Sequence, residues 1–155
     1  MKKLLLTMLM LDIVGMASAD IVPGKTYRIA SAANEGRVMF VDNSSFANNT
    51  SIVMWTDTEV PAQQWEAIAN DNGTFSFRNV FTGKYLARNS AVISTNSKIQ
   101  QTASTSSMGQ WNVDAVDGHD GYYVITQSSA SNTFILQTSA ASDGETMNFS
   151  AWTDG

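Results

Sequence analysis

Pro61-Ala-Gln-Gln-Trp65-Glu-Ala-Ile68 has a counterpart 46 residues later in Ser107-Met-Gly-Gln-Trp111-Asn-Val-Asp114. Each tryptophan leads into a short apolar stretch and then a turn, Asp71-Asn72-Gly73 after the first and Asp117-Gly118-His119-Asp120-Gly121 after the second. Each turn leads into an aromatic run, Gly73-Thr-Phe-Ser-Phe-Arg-Asn79 and Gly121-Tyr-Tyr-Val-Ile-Thr-Gln127. A fixed period of this size marks a repeat architecture in which no single unit can bury its own apolar face.

Working outward, the same segments recur. Lys84-Tyr-Leu-Ala87 matches Arg37-Val-Met-Phe40 upstream and Thr133-Phe-Ile-Leu136 downstream. The strand 50–55 has partners at 96–101 and 146–152. These runs alternate apolar and polar residues, are rich in β-branched and aromatic side chains, and are bounded by Gly, Asn, Asp, Ser or Pro. That pattern predicts short strands in an all-β barrel or sandwich. A helix fits only briefly, near 60–63, and 103–109 reads as a loop. Three units of four strands result, about 24–70, 71–116 and 117–155. The third contains no counterpart of Gln63-Gln64-Trp65, so eleven of twelve strands are expected and one barrel edge is left open. The first expectation is a piece of a longer protein; the alternative is a short chain whose N-terminal segment at 20–23 covers that edge.

The first nineteen residues read differently. Lys2-Lys3 is a positive start, 4–16 is apolar apart from Asp12, and Ala17-Ser18-Ala19 is a small-x-small site. This is the layout of a secretory leader, which predicts a periplasmic or extracellular protein with a folded domain at 20–155. The apolar run is too short to span a bilayer, which takes about 20 residues. Formal net charge is −5, and removing the leader with its two lysines and one aspartate makes the remainder more acidic still. Scattered basic residues on an acidic chain argue against nucleic acid or anionic membranes as partners. There is no cysteine, which rules out disulfides and thiolate metal sites. His119, the sole histidine, lies in a turn with no nucleophile elbow in view, and no pair of carboxylates is singled out. No cofactor is implied and no catalytic residue is assigned.

Gly83-Lys84-Tyr85-Leu86, Asn72-Gly73-Thr74-Phe75 and Gln63-Gln64-Trp65 resemble the ricin-type β-trefoil lectins, whose mark is a Gln-x-Trp closing each repeat. Gln63-x-Trp65 matches in full, while the second copy keeps only Trp111, with Gly109 in the glutamine slot. The resemblance covers 24–155. It implies a β-trefoil with pseudo-threefold symmetry and one shallow sugar pocket per repeat, built from an Asp on the second strand, a polar residue and an aromatic on the third, and an Asn before Gln-x-Trp. In repeat one those slots fall on Phe40, Val53, Trp55 and Ala62; in repeat two on Ala87, Ile99, Gln101 and Met108; in repeat three on Leu136, Ser150 and Trp152. No repeat keeps the aspartate.

Asp42 lies two residues past Phe40, on the same face of an extended strand. With Asn43 it is the expected substitute. The predicted carbohydrate-binding residues are therefore Asp42, Asn43, Trp55, Gln63 and Trp152, with glycans as partners and Trp55 and Trp152 as stacking platforms at strand-to-loop edges. Trp65, Trp111, Phe75, Phe77, Tyr122, Tyr123 and Phe134 are expected in the core, and Asp57 in an Asx-turn. The function expected is a non-catalytic, lectin-like targeting module, with a catalytic domain downstream in a larger glycan-active protein. The rival expectation is a trefoil that has lost sugar binding and serves as scaffold, protein-binding domain or protease inhibitor.

Overall fold

The computed structural model describes the backbone of residues 8–12, 21–95 and 97–152, and side chains within 21–95 and 97–149. The described residues form thirteen short strands: β1 Met8–Asp12, β2 Thr26–Ser31, β3 Asn34–Val41, β4 Ile52–Thr56, β5 Trp65–Ala69, β6 Phe75–Asn79, β7 Tyr85–Arg88, β8 Ile99–Thr102, β9 Asn112–Ala115, β10 Tyr122–Ser128, β11 Thr133–Gln137, β12 Glu145–Thr146 and β13 Asn148–Trp152. All named pairings are antiparallel. Single-turn 3-10 helices at Pro61–Gln63 and Ser107–Gly109 precede the two repeat tryptophans. The brief helix expected near 60–63 is the first of these.

Repetition in sequence becomes repetition in hydrogen bonding. Trp65 is fully buried and its Nε1 donates to the Met39 carbonyl at 3.1 Å; Trp111, equally buried, donates to Leu86 at 3.1 Å. A polar residue near the end of a first strand grips the 3-10 turn before each tryptophan. Asn79 Nδ2 donates to the Ala62 carbonyl, and Gln127 Nε2 donates to the carbonyls of Met108 and Gln110. Because buried polar groups are costly unless paired, these bonds fix the turns and not only the strands. Around them one core joins all three repeats through Ile29, Met54, Phe77, Leu86, Ile125 and Phe149. Of the aromatic residues expected inside, Trp65, Trp111, Phe77, Tyr123 and Phe134 are buried, and Phe75 and Tyr122 are half-buried.

The barrel edge expected to be open is occupied. β1 pairs with β2 on one side and with β10 on the other. Its register is that of the fourth strand of a repeat. Met8 faces Ser31 and Asp12 faces Tyr27, just as Trp65 faces Asn79 and Ala69 faces Phe75. On the other side Met8 faces Tyr123, as Trp65 faces Tyr27. The backbone of Met8–Asp12 thus stands where Trp65–Ala69 stands in repeat one. The segment expected to cover the gap was 20–23; the one that does so comes from the apolar run read as a leader. The rest of that leader lies outside the described residues.

Register also corrects the alignment of the repeats. Val38, Tyr85 and Ile135 face Ala30, Arg78 and Thr126, each three residues after the equivalent positions Tyr27, Phe75 and Tyr123, which face Trp65, Trp111 and Met8. Their partners across the second hairpin are Trp55, Thr102 and Ser150. Trp55 therefore corresponds to Ser150, and not to Trp152, which sits two residues further on, opposite Thr133. The slots placed on Ile99 and Gln101 move to Gln100 and Thr102, and those on Leu136 and Ser150 move to Gln137 and Asn148. An aromatic match had pulled repeat three out of register with the sheet.

Candidate carbohydrate site

Trp55 is the penultimate residue of β4. Ile52, Val53 and Met54 before it are buried, but Trp55 itself is 38% exposed. Phe40 lies diagonally across the hairpin with ring centroids 5.9 Å apart and tilted by 48°, so it props the indole from one side. Nε1 of Trp55 makes no hydrogen bond among the described residues, in contrast to Trp65 and Trp111. A half-exposed indole with a free donor offers a stacking face and one polar contact.

A carboxylate of repeat three binds the residue that follows this tryptophan. Asp143 Oδ1 accepts from the Thr56 backbone N–H at 2.7 Å and from the Thr56 hydroxyl at 2.9 Å. Arg37 Nε donates to the same oxygen at 3.1 Å, and its NH1 donates to the carbonyls of Ala140 and Ala141. Gly144 packs beside the indole, where a Cβ would sit 3.9 Å from Trp55 Cζ3; its φ of +85° suits glycine. Partial desolvation works against the charged form of Asp143, but the Thr56 hydroxyl, Arg37 and the Thr56 N–H outweigh it and hold the carboxyl below the usual aspartate range. Glu145 is likewise lowered, chiefly by the Ser139 hydroxyl, with the Ala141 N–H adding to it against desolvation. Asp143, Arg37 and Thr56 thus form a bonded cluster that joins repeats one and three at the residue following Trp55.

The loop leaving Trp55 is held from beneath. Gln63 is fully buried; its Oε1 accepts from the Thr58 N–H at 2.9 Å and its Nε2 donates to the Thr56 carbonyl at 2.8 Å. Gln63 was expected to touch ligand. With its amide spent on the loop and no surface exposed, it is a positioning residue instead. Asp57 forms the expected Asx-turn, accepting from the Glu59 N–H at 3.1 Å. Arg28 lies 3.2 Å from Asp57 and 3.0 Å from Glu59. The first of these contacts is coulombic, because the Arg28 Nε–H is not aligned with any acceptor.

The structure does not bring Asp42 to Trp55. Trp55 faces Val38, whereas Asp42 donates its N–H to Ser51 past the far end of the hairpin. Four residues of strand separate Val38 from Asp42, or ~13 Å. Asp42 and Asn43 open the loop to β4, where Asn43 has a left-handed φ of 52° and is exposed. Trp152 has its backbone in β13, and its side chain lies outside the described residues. Asp143 and Arg37 were missed because nothing local marks them: they lie over 80 residues apart in the chain and are joined only by the β4–β12 pairing of Met54 with Glu145. Among the described residues no cluster of three or more His, Asp or Glu is placed to hold a metal ion.

Comparison with known proteins agrees with this architecture. Residues 18–102 match the family model described as ricin-type beta-trefoil lectin domain-like. A designed threefold-symmetric protein, ThreeFoil, is similar in structure, with TM-score 0.71, 21% identity, and 84% of this chain and 91% of that chain covered. The Macrolepiota procera ricin B-like lectin, solved with lactose, gives TM-score 0.69 at 15% identity, covering 88% of this chain and 92% of that one. An exo-beta-1,3-galactanase from Clostridium thermocellum gives TM-score 0.67 at 23% identity, covering 77% of this chain but 26% of that one. No curated protein sequence matches the chain. With more than half of its length matched by the family model, the chain belongs to the ricin-type β-trefoil lectin domain-like family.

Proposed function

We propose that this protein is a carbohydrate-binding module whose working site is centred on Trp55. The observation that carries the proposal is a half-exposed indole whose Nε1–H has no partner among the described residues, on a strand whose next residue, Thr56, binds Asp143. A pyranose presents an apolar C–H face to such a ring and equatorial hydroxyls to its polar border. Asp143 takes over the acidic role that the expected pocket gave to the slot now held by Phe40. Binding at one shallow site is weak, and a module of this kind gains by tethering to another glycan-active unit. The galactanase whose chain is covered to 26% is one protein in which a similar fold forms a minor part of a longer chain. On this reading the chain performs no catalysis of its own and targets a glycan-active partner domain.

The second reading is a trefoil that has given up sugar binding and serves as a scaffold. It is favoured by the apolar Phe40 and Ala87 in two aspartate slots and by Thr102 in the aromatic slot of repeat two. A glycan array with the wild type and Trp55→Ala decides between them: spots lost in the variant support the first, and an array blank for both supports the second.

A further inference from the structure

A second pair of aromatic rings stands on the surface away from Trp55. Phe46, in the loop between β3 and β4, is 57% exposed, and Phe81, in the β6–β7 turn of the next repeat, is 42% exposed. Their ring centroids are 4.7 Å apart, inclined by 40°. One buried amide fixes both. Gln101, fully buried on β8, donates through Nε2 to the carbonyls of Ser45 and Ala47, which flank Phe46, at 2.8 Å each. Its Oε1 accepts at 2.8 Å from the hydroxyl of Thr82, the neighbour of Phe81. The Phe81 and Thr82 N–H groups are capped in turn by Asn79 Oδ1. Both rings are therefore held by a satisfied hydrogen-bond network while remaining in water.

The fold does not require this pair. At the next junction the corresponding loop, 89–98, presents Val92, and the corresponding β10–β11 turn is Ser129-Ala-Ser-Asn132. Hydrophobic patches that are exposed and rigid mark interaction sites. The chemistry on the Phe46 side of this one is rich in amides. Asn43, Asn48 and Asn49 lie on the Phe46 loop, and Gln100 beside them donates to Asn49 at 3.1 Å. The Asp42 carboxylate, at the root of the loop, accepts no hydrogen bond among the described residues.

We propose that Phe46 and Phe81 form a second glycan platform, independent of Trp55, which stacks a pyranose face and reads its hydroxyls through the amides of the 42–50 loop. This proposal rests on the carbohydrate reading above and extends it to the junction of repeats one and two. Asp42 and Asn43, separated from Trp55, belong to this platform. Two sites on one module would bind a polysaccharide more tightly than either alone.

The test is affinity electrophoresis of the full chain in gels containing xylan, arabinogalactan or mucin. It compares the wild type with Trp55→Ala, the double variant Phe46→Ala/Phe81→Ala, and all three substitutions together. Both phenylalanines are exposed, so circular dichroism should show the double variant folded. The expected result is retardation of the wild type in at least one gel, weakened several-fold in Trp55→Ala and several-fold in the double variant, and abolished in the triple variant. Phe46→Tyr should keep wild-type retardation. A double variant retarded like wild type, while Trp55→Ala is not, overturns this proposal and leaves the Trp55 site standing. A wild type that no gel retards and no glycan array captures removes the carbohydrate reading, and this platform with it. A dimer in sedimentation that the double variant abolishes would assign the pair to a second copy of the chain and overturn the proposal as well.

Discussion

Trp65 donates its indole N–H to the carbonyl of Met39, 26 residues earlier, across the buried floor of repeat one. Trp111 makes the same bond to Leu86. The tryptophans thus tie a repeat's fourth strand to its second, which explains the repeat-ending position the motif holds in sequence. Trp65→Phe removes the donor and leaves the Met39 carbonyl buried and unpaired, at a cost of about 1–3 kcal/mol. Trp65→Ala adds a large cavity and should cost about 3–5 kcal/mol. Chemical denaturation checks both, and a Trp65→Phe midpoint equal to wild type would deny the bond its role.

Gln63 supports the site without lining it. Gln63→Leu keeps the volume but strips the Thr58 N–H and Thr56 carbonyl of their partner, which should destabilise by about 1–3 kcal/mol. It should also weaken any glycan binding by loosening the Thr56–Glu59 loop. Amide exchange at Thr58 is the readout, and unchanged protection there would contradict the positioning role.

Asp143 gives the Trp55 site an acid dependence. Its folded pKa lies below the unfolded value, so its contribution is present above the ordinary aspartate pKa of about 3.9 and is lost as pH falls through the lower folded value. The Thr56 amide proton, donated to Asp143 at 2.7 Å, reports this directly. Its NMR shift should titrate with a midpoint below the ordinary aspartate value and should not titrate so in Asp143→Asn. A midpoint at or above that value would contradict the cluster.

The strand β1 makes a prediction about the whole barrel. Met10 faces Ile29 in the middle of the β1–β2 ladder. Met10→Pro removes a ladder donor and should lower the stability of the full chain by about 1–3 kcal/mol. A chain starting at residue 13 should unfold at lower denaturant than the full chain, because β2 and β10 lose their shared partner. Equal midpoints would show that β1 does not hold that place in solution.

The trefoil was legible because its repeat signal is carried by bulky residues with a structural duty: Trp65, Trp111 and the aromatic strands that pack beneath them. β1 was not, because Met8–Asp12 has no tryptophan at its head and follows two lysines in an apolar run, which is how a leader reads. The third repeat slipped because Trp152 looks like Trp55, whereas sheet register, which no side chain announces, pairs Ser150 with Ile135. Trp55 was named from its place near the end of an apolar strand. Asp42 was set beside it on proximity in sequence, and the fold separates the two. Asp143 arrives through tertiary pairing alone.

The central claim is that Trp55 is the sugar-stacking face. Titration of the wild type and Trp55→Ala with the glycan that an array selects, followed by calorimetry, tests it most directly. The account predicts weak saturable binding by the wild type and a loss of at least about tenfold in the variant, equivalent to roughly 1.4 kcal/mol. Equal affinity in the two proteins, with the variant folded, would contradict it.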